Sequence, residues 1–158
     1  MYQWLLYLHI AAVIGFMLGH GVQVAVMLRQ RSEADPERNL ALFEMLPTVK
    51  PLRYLSVGIV LTGLLLVAVL SLWARWWIWI SLGLLVVIWL VMYRFGGAYY
   101  VGLEDAATRA IEARGTSGEA DAIAAFTRAR RGPQPLILAT AGLGGVAVIL
   151  WLMVFRPF

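Results

Sequence analysis

The sequence predicts an all-α membrane protein: one domain over residues 1–158, folded as a bundle of four transmembrane helices with short cytoplasmic helices. Three observations predict this class. The chain is 61% hydrophobic and only 14% charged, whereas soluble domains carry about 25% charged residues. Four long apolar stretches are separated by polar segments. Most of the lysines and arginines lie on two of the connecting loops.

The first transmembrane helix is predicted at about residues 3–28, and it contains both histidines of the chain. Its apolar length exceeds the roughly 20 residues that a helix needs to cross a bilayer. It lacks the basic start and the small-residue cleavage site of a signal peptide, so we expect it to be retained.

A cytoplasmic loop is predicted at residues 29–51. Asp35 before Pro36 is a favourable start for a helix, because aspartate caps and proline fits the first helical position. Leu40, Phe43 and Leu46 recur at a spacing of three. This pattern predicts a short helix lying on the membrane surface.

The second and third transmembrane helices are predicted at about residues 52–73 and 76–93, joined by a tight turn. Tryptophans gather at this turn, which is typical of an aromatic belt at one interface. Arg94 and the Gly96–Gly97 pair are predicted to mark the other interface. The tryptophans are Trp73, Trp76, Trp77 and Trp79.

A second cytoplasmic loop is predicted at residues 94–135, followed by the last transmembrane helix at about 136–155. Residues 102–114 favour a helix by propensity. Thr116 and Glu119 have the spacing of a capping box that would open another short helix. Pro133 and Pro135 are predicted to end it.

Orientation follows from the basic residues. The two long loops and their flanks carry eleven lysines and arginines, whereas the opposite side has only Arg75 and Arg156. The positive-inside rule therefore places both long loops in the cytoplasm and both termini outside, in a bacterial-type inner (plasma) membrane. The eleven are Arg29, Arg31, Arg38, Lys50, Arg53, Arg94, Arg109, Arg114, Arg128, Arg130 and Arg131.

Composition excludes several function classes. The chain has no cysteine, so disulfides, thiolate metal sites and cysteine nucleophiles are excluded. The basic residues flank apolar segments, and they therefore indicate anionic lipid rather than nucleic acid as partner. No aspartate or glutamate lies within a predicted span, which argues against a carboxylate proton relay.

His9 and His20 are the sharpest functional signal. Eleven residues at about 100° each return to within roughly 20°, so both imidazoles lie on one helix face, on the order of 16 Å apart along the axis. A neighbouring stripe of small residues would let a flat ligand or another backbone approach. We expect this face to bind one or two haem b groups with His9 and His20 as iron ligands. The residues predicted to line it are His9, His20, Phe16, Gly15, Gly19 and Gln23.

The sequence leaves open which group is the second axial ligand of the haem iron, because the chain has no histidine on another helix. It is a methionine (Met17, Met92 or Met153), it is absent, or it comes from a second copy. In a homodimer with its axis along the membrane normal, each histidine would face its mate, and two haems would form an electron path. The alternative is that each histidine hydrogen-bonds a hydroxyl or carbonyl within the bundle, with or without a cofactor-free dimer packed through Gly15 and Gly19.

Three motifs resemble a known family. They are the opening Trp4–Ile10 with His9, the segment Pro51–Val57 followed by Leu61-Thr62-Gly63, and the ending Val154–Phe158. Together they resemble HemJ-type protoporphyrinogen oxidases and the allied CopD-type domains of copper-resistance proteins. The resemblance implies four membrane helices and b-type haem bound through the first-helix histidine, here His9.

Two departures from that family bear on the activity. The HemJ-type enzymes carry a lysine in the third helix, whereas the only lysine here is Lys50, in a loop. His20 stands where those enzymes usually have an apolar residue. The third-helix lysine of those enzymes is absent here, and His20 is an additional possible iron ligand. Both differences favour an electron-transferring cytochrome over the oxidase.

The predicted function is therefore a cytochrome b-like protein in electron transfer, with a quinone or a membrane or periplasmic protein as redox partner. One alternative is a cofactor-free accessory or scaffold subunit of a membrane complex. Another is a HemJ-like oxidase or a CopD-like copper-handling protein. The cytochrome interpretation requires the histidines to face a flat cavity, and the scaffold interpretation requires them to be hydrogen-bonded in a closed core.

Overall fold

The computed structural model describes residues 2–46 and 49–157, and within these ranges it is helical without strands. Pro47, which follows the predicted surface helix, and Phe158 of the family-like ending lie outside the described residues. The helices are α1 (Tyr2–Ser32), α2 (Pro36–Glu44), α3 (Val49–Val69), α4 (Trp76–Val91), α5 (Gly97–Glu112), α6 (Glu119–Arg131) and α7 (Gln134–Phe155), with a π-helical turn at Met92–Gly96 between α4 and α5.

Four helical stretches are long and apolar enough to cross a membrane, as the sequence predicts. Their exposed surfaces carry large apolar side chains, such as Trp4, Leu18 and Val154. Such surfaces are suited to lipid contact rather than to water. The stretches are Tyr2–Ser32, Pro51–Val69, Trp76–Glu112 and Glu119–Phe155.

The predicted end of the third helix at Tyr93 is wrong, because the chain stays helical through Arg94 and both glycines to Glu112. Gly96 and Gly97 both adopt helical backbone angles. Burial of one face of α5, including Tyr99 and Leu103, outweighs the modest cost of glycine within a helix.

Two other predicted boundaries also shift. The second span ends at Val69, before a left-handed Ser71 with φ of 52°. The helix α6 ends at Arg131, before Pro133, as predicted, and α7 begins at Gln134 instead of about Leu136. Proline is tolerated at the first positions of a helix, where no intrahelical donor is needed.

The helix α1 is central to the bundle. It packs along α3 and also meets α7, and α7 in turn packs against α4. The helices α2, α5 and α6 pack together around the C-terminal end of α1. We call these three helices and that end of α1 the loop layer. Its buried side chains include Met27, Leu103 and Phe126.

The helix α2 begins as predicted but packs differently. The Asp35 carboxylate accepts a hydrogen bond from the backbone N–H of Glu37 at 2.9 Å, which confirms the cap. Leu40 and Phe43 pack against the buried cluster of the loop layer. Phe43 meets Tyr100 of α5 with ring centroids 5.9 Å apart. The apolar face of α2 is therefore covered by α5, and the predicted position on the membrane surface stays a prediction.

The predicted capping box before α6 is also replaced by a related arrangement. The Glu119 carboxylate accepts from the backbone N–H of Gly115 at 2.8 Å. The Thr116 hydroxyl accepts from the backbone N–H of Gly118 at 3.3 Å. The bond from Glu119 spans four residues, whereas a capping box spans three. It ends at Gly115, whose φ of 73° is one that glycine adopts readily.

A buried amide holds the C-terminal end of α1 to α2. Asn39 is 0% exposed, and its Nδ2 donates to the backbone oxygens of Gln30 at 2.7 Å and Glu33 at 3.2 Å. We expect Asn39→Ala to lower the free energy of unfolding by about 1–3 kcal/mol, because it removes the donor from buried carbonyls. The measurement is a denaturant titration of the detergent-solubilised protein.

The matched control is Arg38→Ala, which removes the exposed neighbouring side chain. We expect its free energy of unfolding to change by less than about 0.5 kcal/mol. Equal destabilisation by the two substitutions would show that the amide does not hold the loop layer together.

Candidate functional site

The histidine face of α1 meets two different helices. His9 lies against α3, at Thr62 and Gly63. His20 lies against Gly142 of α7. The two imidazoles therefore share a face of α1, as the spacing predicts, but they occupy different contacts.

The small-residue stripe is filled by the same chain. A Cβ placed on Gly15 would lie 3.5 Å from the Leu55 side chain, and one placed on Gly19 would lie 2.5 Å from Leu52. Both leucines belong to α3. Gly15 and Gly19 thus allow α3 to approach α1 closely.

Hydrogen bonding favours one tautomer of His9. Its Nδ1 lies 3.0 Å from Thr62 Oγ1, and that hydroxyl donates to the backbone oxygen of Gly58 at 2.6 Å. A hydroxyl whose proton is used in this way accepts from the imidazole, which favours the proton on Nδ1. The Nε2 atom is left with its lone pair, the state in which imidazole binds metals.

His20 is held in a closed environment. It is 9% exposed and stacks on Phe16, with centroids 5.8 Å apart and planes 10° from parallel. Its Nε2 is buried and has no hydrogen-bond partner among the described residues. A buried nitrogen without a partner is costly, on the order of 1–3 kcal/mol, and is uncommon in proteins.

Met92 and Gly142 complete the surroundings of His20. A Cβ placed on Gly142 would lie 2.4 Å from His20 Nε2 and 3.0 Å from Met92 Cε. The imidazole and the thioether therefore converge on the same point of α7. Met92 is also the first residue of the π-helical turn, and such turns occur frequently at functional sites.

The remaining predicted residues make no described contact with His9 or His20, except Met92. Gln23 is half-buried one turn beyond His20. Met17 is 37% exposed on α1. Met153 lies eleven residues from Gly142, on the order of 16 Å along α7. Of the three methionines predicted as ligands, Met92 is the one that the fold brings to a histidine.

Two residues of the site were not predicted from the residues alone. Thr62 entered only through the family resemblance, and Gly142 carried no predicted contact. The small residues Gly142 and Gly145 do carry a signal, because they lie on one side of α7. Gly145 packs on Ile88 of α4, and its added Cβ would lie 2.4 Å from that side chain.

The surroundings limit the chemistry. Among the described residues, no three histidine or acidic side chains gather as a site for a hard metal ion. One shallow cavity is lined by Leu136, Ile137, Thr140 and Ala141, and another by residues of the tryptophan turn. Neither of these cavities borders His9 or His20. They do not provide the flat cavity that the cytochrome interpretation requires.

Comparisons of the chain with protein-family models, with curated proteins and with solved structures found no match.

The Thr62 hydroxyl can be tested as the group that orients His9. We expect Thr62→Val to release the Nδ1–H tautomer, so that ¹⁵N NMR of the histidine ring shows both tautomers where the native protein shows one. The free energy of unfolding should fall by about 1 kcal/mol, the typical net worth of one hydrogen bond.

The matched control is Thr140→Val, at an exposed position on α7. It should leave the ring spectrum of His9 unchanged. An unchanged His9 spectrum in Thr62→Val would contradict the assignment of the tautomer.

The close contact at Gly142 gives a second test. We expect Gly142→Ala to lower the free energy of unfolding by about 1–3 kcal/mol, because the methyl group collides with His20 and Met92. Gly144→Ala is the control, since nothing lies within 4 Å of an added Cβ there. It should gain up to about 1 kcal/mol from helix propensity. Equal effects at both glycines would disprove the contact.

Proposed function

We propose that this protein is a membrane-embedded, b-type haem-binding protein that transfers electrons, with iron held by the histidines of α1. One observation carries the proposal: the buried Nε2 of His20 has no hydrogen-bond partner among the described residues and lies beside Met92. Imidazole and thioether are a known axial pair for haem iron. The two groups come from different parts of the chain, α1 and the π-helical turn, and they would hold the iron of a bound haem.

His9 supplies a second nitrogen of the same kind. Its Nδ1–H is held by Thr62, which leaves Nε2 as the atom that can bind iron. Metal-binding histidines commonly donate their other N–H to an oxygen in this way, which fixes the ring orientation. The donor atoms are therefore of the kinds that bind haem iron, whereas neither of the two cavities borders them.

The chain's own contribution is to position these donors and to exclude water. Gly142 lies against His20 Nε2, so α7 would have to move away from α1 before this nitrogen could hold haem iron. Bound haem supplies one-electron redox chemistry. Phe16 holds the His20 ring by stacking, and the surrounding apolar residues keep the site dry.

The environment and partners belong to the same proposal. The four apolar helices support insertion into a bilayer, with the long loops cytoplasmic and both termini outside. Electrons would pass between a quinone and a membrane or periplasmic protein along the two histidine positions. A homodimer and membership of the HemJ-type or CopD-type family remain predictions.

A cofactor-free scaffold is the second candidate. It is favoured by the hydrogen bond between His9 and Thr62 and by the close packing of Gly142 on His20. Both are features of a closed core. No comparable observation favours the oxidase or copper-handling alternatives.

The test is a reduced-minus-oxidised absorption spectrum of protein purified with an adequate haem supply, with haem quantified per chain. We expect sharp α and β bands that are lost at one site in His20→Ala and at the other in His9→Ala. Met92→Leu should keep haem but lower its midpoint potential, because methionine ligation raises it. The control Met17→Leu should leave the potential unchanged.

Other outcomes decide between the candidates. Haem lost only in His9→Ala would leave His20 structural and favour a single site. A colourless protein would disprove the haem proposal and favour the scaffold.

A further inference from the structure

Two arginines lock together where α1, α6 and α7 meet. Arg130 is 5% exposed, and its Nη1 donates to the backbone oxygen of Arg31 at 2.9 Å. Arg31 in turn donates from its own Nη1 to the backbone oxygen of Gly132. Each guanidinium thus bonds a carbonyl at a helix end, where cations are favoured. These bonds hold two like charges at one place.

The positive charge at this place is not balanced. Arg131 adds a third guanidinium, exposed and adjacent to Arg130. The Glu33 carboxylate interacts electrostatically with Arg130, but its oxygens are engaged with Arg29 at 3.5 Å and the backbone N–H of Asp35 at 3.2 Å. Within residues 2–46 and 49–157, the ion pairs do not include any of the three arginines.

A buried donor also remains unused. The Nε of Arg130 has no hydrogen-bond partner in the part of the chain that the structure describes. A buried charged donor without an acceptor is costly, and a charged acceptor offsets that cost best. The helix α7 begins at Gln134, four residues after Arg130 along the chain and without a side-chain cap, and the positive end of its dipole attracts anions. Burial, charge and dipole therefore all favour an anion here.

An apolar surface begins directly after these arginines. Leu136 and Ile137, in the first turn of α7, are 47% and 59% exposed. Together with Thr140 and Ala141 they line a shallow cavity of about 440 Å³. Phosphate chemistry at the arginines and a hydrocarbon chain along this cavity match the two parts of a phospholipid.

We propose that Arg31, Arg130 and Arg131 bind a phosphate group, and that its source is the headgroup of an anionic phospholipid. Guanidinium groups bind phosphate oxygens through paired N–H donors. The lipid's acyl chain lies along Leu136 and Ile137. The site is separate from the histidines and does not depend on haem.

The experiment measures the thermal unfolding midpoint of the full-length, detergent-solubilised protein by tryptophan fluorescence. Phosphatidylglycerol, phosphatidylcholine and inorganic phosphate are titrated separately. We expect phosphatidylglycerol to raise the midpoint in a saturable way and the other two to have little effect. Arg131→Gln should weaken the apparent affinity about tenfold, as expected for one charge-assisted contact. Arg131 makes none of the interhelical hydrogen bonds described above, so this variant should fold.

The control variant is Arg38→Gln, which removes one exposed arginine from α2. It should bind phosphatidylglycerol as the native protein does. The proposal would be overturned if both phospholipids raised the unfolding midpoint equally. It would also be overturned if Arg131→Gln and Arg38→Gln weakened the apparent affinity for phosphatidylglycerol equally. If inorganic phosphate raises the midpoint and phosphatidylglycerol does not, the phosphate site stands and the lipid assignment is overturned.

Discussion

The packing of the long apolar helices depends on close contacts at glycine. Between apolar helices in lipid there is little hydrophobic driving force, so association relies on dispersion and hydrogen bonding between well-fitted surfaces. Four glycines on three helices each lie under a side chain of another helix, at distances that leave no room for a Cβ without adjustment. Two of these contacts receive the histidines. The glycines are Gly19, Gly63, Gly142 and Gly145.

The loop layer gives the protein a second kind of cohesion. Its core is built as in a soluble protein, with Phe126 and Leu103 fully enclosed and the buried Asn39 bonded across helices. The rest of the bundle exposes large apolar side chains and encloses few of them. His20 lies near the packed end of α1, and His9 lies in the thinner part. The two histidines therefore differ in burial, with His20 buried and His9 half-buried.

Much of the fold could be predicted from local sequence. Apolar length locates the four spans, and Asp35 before Pro36 locates the start of α2. The helix end predicted at Tyr93 failed because burial of one face of α5 keeps the chain helical. Local propensity does not report that burial. The candidate site also has a part that the sequence predicts and a part that it does not. Helical spacing places both histidines on one face, but Thr62 is 53 residues from His9, and such pairings are properties of the tertiary fold.

The π-helical turn at Met92–Gly96 separates the helical phase of α4 from that of α5. One extra residue in the repeat rotates everything after it by about 100° relative to a continuous α-helix. Met92 can therefore point toward α7 while Tyr99 points into the loop layer. The sequence of each half is free to match its own neighbours, apolar in one and mixed in the other. A single inserted residue thus allows one long helix to belong to two cores with different orientations.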